Sequence, residues 1–332
     1  VTTELTAAHA RPLTRGPDDA DLLSAKLVKA RKPGQWVSSA IVLVLAAMLV
    51  HTLFTNPRFQ WDVVGNYFFH DSILRGLGLT LWLTAAVMVC GFALGILLAV
   101  MRLSSNPILS TLSAGYVWLI RSVPPLVQLL FWYELASLYP QLSLGIPFGP
   151  EFVTADTAHL FSGVLAAFVA LTIDVAAFAA EIVRGGILSV DRGQAEAAEA
   201  LGLSRYRIFR RIILPQAMPA IVPASGNLLI GLLKATSIVS VIAVQDLLYS
   251  AQLIYQQNYL ILPLLLVATI WYIIVTSVLS VGQYFVERHY SRGNRRPQQS
   301  FWTTVRENLP LFGRVRTELR RLDLRNEGAV RA

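Results

Sequence analysis

The chain has 332 residues, of which 55% are AVILMFWYC and only 14% are charged, and its mean hydropathy is +0.55; this excludes an ordinary pair of soluble domains and raises membrane topology first. Lys and Arg number 28 against 20 Asp and Glu, giving +8 at pH 7, and most of the basic residues lie in the two tails and one middle segment. The single cysteine, Cys90, sits in an apolar run, which excludes an internal disulfide and any cysteine-clustered zinc or iron–sulfur centre.

A helix rising ~1.5 Å per residue needs ~20 mostly apolar residues to cross ~30 Å of hydrocarbon. Six segments approach or exceed that length: Trp36 to Phe54, Ile73 to Met101, Leu112 to Leu135, Ala158 to Val183, Pro223 to Val244 and Leu262 to Val286. They lack the two-residue alternation of a barrel, and only helices satisfy their own backbone in lipid, so the fold class is all-α, a polytopic helical membrane protein. Residues 1–35 read as a polar, mobile N-terminal tail and 36–71 as the first span with its external loop. That span follows a long polar region without a small-x-small cleavage site, so it reads as an uncleaved helix rather than a signal peptide. In the third span Arg121 precedes Pro124 and Pro125; the expectation is an interfacial stretch from Gly115 to Val123, with the crossing starting near the prolines.

Lys and Arg are retained on the cytoplasmic side. With both termini inside, Lys26, Lys29, Arg102, Arg184, Arg192, Arg205, Arg207, Arg210, Arg211 and the residues beyond Arg288 all fall on one side. The opposite loops hold little more than Arg58, with Arg75 at a span mouth, beside Asp62, Asp71, Glu151, Asp156 and Asp246.

The connector from Arg184 to Ala220 is basic and has its own pattern. Gln194 to Leu201 is rich in helix formers, and Gly202 can end that helix with a positive φ. Ser204 can cap a second helix, with Ile208, Ile212 and Phe209 on one side and Arg205, Arg207, Arg210 and Arg211 covering much of the rest; Pro215 is expected to end or kink it. Physics alone leaves two readings, a solvated connector or a stiff corner with Ala197 and Ala198 at its bend, suited to a partner's groove.

Glu196-Ala197-Ala198, three residues, Gly202, nine residues and Ile212-x-Leu214-Pro215 resemble in every fixed position the EAA motif of permease subunits of bacterial ABC importers. Tyr116 to Leu130, Leu171 to Ile187, Gln194 to Gln216 and Gly226 to Val244 narrow the resemblance to the polar amino-acid permeases (histidine, glutamine, glutamate and arginine type). It covers most of residues 72–288, the type I transmembrane domain, with a coupling segment at 187–221; the tail 289–332 lies outside it. The resemblance implies two permease subunits, identical or homologous, in the bacterial inner membrane, each docking its motif into a cytoplasmic ABC ATPase dimer. ATP-Mg binds the ATPase and this chain holds no cofactor; an extracytoplasmic solute-binding protein delivers an amino acid. Glu196, Ala197, Ala198, Gly202, Ile212, Leu214 and Pro215 are then the coupling residues.

Ionisable groups within spans are functional candidates by default. Asp174 and Glu181, seven apart, share a helix face, and Lys234 lies in the fifth span. One reading makes Asp174 a substrate-path residue meeting an ammonium; where the family more often carries Asn, an Asp hints at a cationic substrate. The other pairs Asp174 or Glu181 with Lys234 or Arg121. Asn227, Thr236 and Ser237 could hydrogen-bond substrate or neighbouring helices. In the C-terminal tail, Val315, Leu319 and Leu322 repeat at helical spacing among Arg314, Arg316, Arg320, Arg321 and Arg325, a pattern open between binding anionic headgroups and a solvated tail. No nucleic-acid motif accompanies the charge.

An ATP-independent secondary transporter or channel is the alternative, against which the motif weighs. An enzyme is disfavoured because the five histidines are scattered and neither a His-Glu-x-x-His motif nor a Gly-x-Ser-x-Gly elbow occurs; no metal site is expected.

Overall fold

The computed structural model describes residues 33–146, 151–157 and 162–290. The N-terminal tail through residue 32 and the basic tail from residue 291, with its amphipathic arginine pattern, lie outside the described residues. The chain divides into two compact units, 1–59 and 60–332. In the first, α1 (Pro33–Thr55) is followed by a 3₁₀ turn, Pro57–Phe59. No residue of its Val37–Thr55 stretch is buried, as expected of a helix whose apolar surface is solvated by lipid.

The second unit runs α2 (Trp61–Phe68), α3 (Asp71–Arg102), α4 (Pro107–Ser122), α5 (Pro125–Tyr133), α6 (Leu135–Leu138), β1 (Gln141–Gly145), β2 (Glu151–Asp156), α7 (Gly163–Leu188), α8 (Arg192–Ala200) and α9 (Arg205–Ile208). A π-helical turn (Phe209–Ile213), α10 (Leu214–Ala235), a 3₁₀ segment (Thr236–Ile242), α11 (Leu247–Asn258) and α12 (Ile261–Tyr290) complete it. Among the described residues five helices are long and apolar enough to cross a bilayer, and six spans result if α4 and α5, bent by 100°, form one broken crossing.

Small residues set the centre of the bundle. Gly91 and Gly95 of α3 face α7 so closely that a Cβ on Gly91 would lie 2.7 Å from a Val175 methyl, and one on Gly95 2.5 Å from Ala179 Cβ. Ala176 and Ala180, both buried, answer them from α7. Without water to drive association in lipid, such small-xxx-small contacts let backbones approach and gain dispersion. Around them Leu83, Val87, Leu129, Leu171, Val175, Leu232 and Val239 form one core cluster. A second joins Val64 of α2, Ile73 and Leu77 of α3, Leu247 and Ala251 of α11 and Leu264, Val267 and Ala268 of α12. Trp271 stacks on Phe68, 4.8 Å between centroids, and donates its indole N–H to the Phe68 carbonyl at 2.9 Å.

The structure refines the reading at several points. Gly115 to Ser122 is part of continuous α4, with Ser113 and Val117 buried and Gly115 exposed. Pro124 and Pro125 start a helix of nine residues, roughly 13 Å long and too short to cross alone; the Gln128 side-chain amide ties the bend by donating to the Ile120 and Val123 carbonyls, each at 2.9 Å. Pro215 does not end its helix: Arg205–Ile242 runs as one helical span, continuous with the fifth crossing. The π-helical turn ahead of Pro215 absorbs the missing amide, and the Gln216 side chain donates to the Ile212 carbonyl at 3.0 Å. A β1–β2 antiparallel hairpin, paired from Gln141 with Asp156 to Gly145 with Glu151, adds strands that span counting did not foresee. Finally, Asp246, in the connection between the fifth and sixth spans, is fully buried. It caps α11 by accepting the Tyr249 N–H at 2.8 Å, and it accepts the Tyr272 hydroxyl at 3.4 Å, while Thr80 Oγ1 accepts the neighbouring Leu247 N–H at 3.1 Å.

Candidate functional site

The coupling segment folds as the corner its composition suggests. Asp191 caps α8 by accepting the Gly193 N–H at 2.7 Å, and α8 ends in a Schellman arrangement: the Gly202 N–H donates to the Glu199 carbonyl at 2.9 Å and the Leu203 N–H to the Ala198 carbonyl at 3.2 Å. Gly202 carries φ +74°, a region where a β-carbon is strained. Beyond it, Ser204 stands at the start of α9 in extended conformation.

The motif residues divide by exposure. Ala198 is 3% exposed and Ile208 is also 3% exposed, fixing α8 against α9. Glu196 and Ala197 are exposed, as is Leu201, 82% open. Space around Gly202 is also open, with no atom within 4 Å of a built Cβ. Among the described residues nothing covers this corner, whose open face carries Ala197 and Gly202 beside Glu196 and Leu201. Ile212 and Leu214 are half-buried at the π-turn, and Pro215 is exposed where α10 begins.

The five substrate-path candidates do not form one cluster. Asp174 is half-buried on α7 beside Gln128 of α5 and within electrostatic reach of Tyr116 of α4, whose hydroxyl donates to the Ile173 carbonyl at 2.8 Å. Among the described residues no Lys or Arg pairs with it. Four residues on, the Arg121 guanidinium lies over the Phe178 ring at 5.2 Å. Glu181 pairs with neither Lys234 nor Arg121 but with Arg184, Nη2 to Oε2 at 2.7 Å, because a separation of three on one helix brings the two within reach. Arg102 and Arg121 also lie within its electrostatic reach. The α7 face thus reads carboxylate, aromatic, then a carboxylate held by arginine.

The others sit apart. Asn227 Oδ1 accepts from Gln283 Nε2 of α12 at 3.2 Å; the same amide donates to Glu287 at 2.6 Å and packs on Gly226. Thr236 is fully buried, donating to the Leu233 carbonyl at 2.7 Å beside Tyr272. Ser237 donates to the Lys234 carbonyl at 2.8 Å, and Lys234 is exposed. The residues that sequence reasoning missed are Gln128, Tyr116 and Gln283, ordinary polar side chains whose importance lies in which helix they meet.

Residues 91–292 match the family described as "Binding-protein-dependent transport system inner membrane component". The arginine transport system permease protein ArgU of Corynebacterium glutamicum is 40% identical over 289 residues, 86% of this chain and 89% of that protein. The probable amino-acid permease protein YxeN of Bacillus subtilis is 33% identical, covering 71% of this chain and 98% of its own length. A solved structure described as an amino acid ABC transporter with histidines superposes with a TM-score of 0.57 at 34% identity, over 67% of this chain and 95% of that one.

Proposed function

This chain belongs to the binding-protein-dependent transport system inner membrane components, the membrane-spanning permease subunits of ABC importers, and from that premise we propose that it forms the translocation path of an ATP-driven amino-acid importer. The observation that carries the reading is the corner at Gly202: an exposed surface at Glu196 and Ala197, held rigid by the buried Ala198 and a Schellman closure. Such a surface suits docking in a groove of a cytoplasmic ATPase dimer, which binds ATP-Mg. Closure of that dimer would draw together the corners of two permease copies, identical or homologous. Because Arg205–Ile242 is one continuous helix, a displacement of the corner passes directly into the bundle.

An extracytoplasmic binding protein would deliver the amino acid to the face opposite the corner, with both termini of this multi-pass chain in the cytoplasm and the bilayer being the bacterial inner membrane. Along the path, Asp174 is the residue we assign to the substrate. It is half-buried, lacks an ion-pair partner among the described residues, and has the charge to meet an ammonium or cationic side chain. The arginine permease named among the relatives supports a cationic amino acid as the preferred cargo.

Proteoliposomes holding the permease, its ATPase and its binding protein test this with radiolabelled arginine, lysine and glutamine. Uptake should require enclosed ATP. Uptake that survives ATP depletion under an ion gradient would return the reading to a secondary transporter.

A further inference from the structure

The helical start that joins the corner to the bundle carries, between the motif positions Gly202 and Ile212, an arrangement to which the motif assigns no role. Tyr206, Arg207, Arg210 and Arg211 line a concavity of about 380 Å³, within the size range of small-ligand sites, roughly 300–1,000 Å³. The spacing explains their convergence: Arg207, Arg210 and Arg211 stand at i, i+3 and i+4, so they share one side of the helix. The Tyr206 hydroxyl accepts from Arg210 Nη1 at 3.4 Å, orienting that guanidinium. Among the described residues none of these arginines pairs with a carboxylate.

We propose that this cradle binds a phosphate-bearing anion, supplied as the headgroup of an anionic phospholipid. Guanidinium groups match phosphate oxygens in pairs. The cradle lies in the first turns of Arg205–Ile242, a helix long and apolar enough to cross a bilayer, at the end next to the basic corner, where basic clusters meet anionic headgroups. Tyr206, 67% exposed, presents its ring beside the arginines, and tyrosine is enriched where a helix meets the membrane–water interface.

The test uses the purified permease–ATPase complex in nanodiscs of mixed phosphatidylglycerol and phosphatidylcholine, with retained lipid read by native mass spectrometry after detergent exchange. Wild type should retain phosphatidylglycerol preferentially. Arg210→Gln should weaken that retention about fivefold, whereas Arg205→Gln, which removes an equal charge outside the cradle, should leave it close to wild type. Equal retention of the two lipids, or equal losses in both variants, overturns the proposal. Inorganic phosphate separates the sources: displacement of the lipid only at high millimolar phosphate supports the headgroup, and saturation by phosphate without lipid preference overturns it. Dissociation of the ATPase from Arg210→Gln with unchanged lipid retention assigns the cradle to the ATPase surface instead, and also overturns it.

Discussion

The Leu203 N–H donates to the Ala198 carbonyl at 3.2 Å, across Gly202 at φ +74°. This bond turns the chain from α8 into α9 and leaves Ala197 outward and Ala198 inward. Neighbouring alanines of one motif therefore have different tasks. Ala198→Leu should overpack the corner and lower the stability of the permease by about 1–3 kcal/mol. Ala197→Trp should leave thermal unfolding of the permease alone unchanged while weakening its co-purification with the ATPase. If both variants shift the unfolding temperature equally, the inward–outward division is wrong.

The α3–α7 contact gives a second prediction. Gly95→Ala places its Cβ 2.5 Å from Ala179 Cβ and 2.9 Å from the Ala176 carbonyl, so the helices must separate at a cost of about 1–3 kcal/mol. Gly78→Ala, on the same helix with nothing within 4 Å, should instead gain up to about 1 kcal/mol from helix propensity. Thermal unfolding in one detergent should displace the midpoints in opposite directions.

Asp246, between the fifth and sixth spans, predicts a pH dependence. Burial pushes its carboxyl up from 3.8 to about 6, against the opposing hydrogen bonds from Tyr249 and Tyr272. The folded state thus holds the proton more tightly than the unfolded chain. The stabilisation is full below about pH 4 and is lost as pH rises toward 6, a decline of roughly 2–3 kcal/mol. Asp246→Asn keeps a capping oxygen but cannot titrate, so subtracting its pH–stability curve from that of wild type should isolate a fall across pH 4 to 6. A flat difference would contradict the burial argument.

Asp174 gives a test of selectivity. Asp174→Asn should reduce arginine uptake about tenfold or more and affect glutamine uptake less, since only the cationic side chain loses an opposite charge in a low-dielectric setting. Assembly with the ATPase, followed by size-exclusion chromatography, should persist. Equal losses with assembly intact would place the contact at the α-ammonium that both substrates share, and loss of assembly would make Asp174 a structural residue.

How much of this was legible in the sequence follows from the range of the forces involved. Span count and the Gly202 corner are local: apolar length, a capping Asp191 and one glycine carry them within a few residues. The failures have non-local causes. Pro124 and Pro125 announce a break, but the seat of α4 on α3 depends on a long-range contact, Ser113 donating to the Leu98 carbonyl at 2.7 Å. Pro215 reads as a stop or a kink, and the π-helical turn before it lets the helix continue. Asp246 looks like a loop carboxylate until Tyr272 from a distant helix closes over it. Glu181 chose Arg184 over the more distant Lys234 and Arg121 because a same-helix partner needs no tertiary alignment.

The central claim is that the Gly202 corner transmits ATPase closure to the bundle. Open space surrounds Gly202, so substitutions there act through backbone conformation rather than collision. Valine resists a positive φ and asparagine tolerates it. In proteoliposomes with ATPase and binding protein, amino-acid uptake and ATP hydrolysis measured on the same sample should separate in Gly202→Val, with uptake largely lost while hydrolysis continues, and should remain coupled in Gly202→Asn. Normal coupled uptake by Gly202→Val would contradict the account.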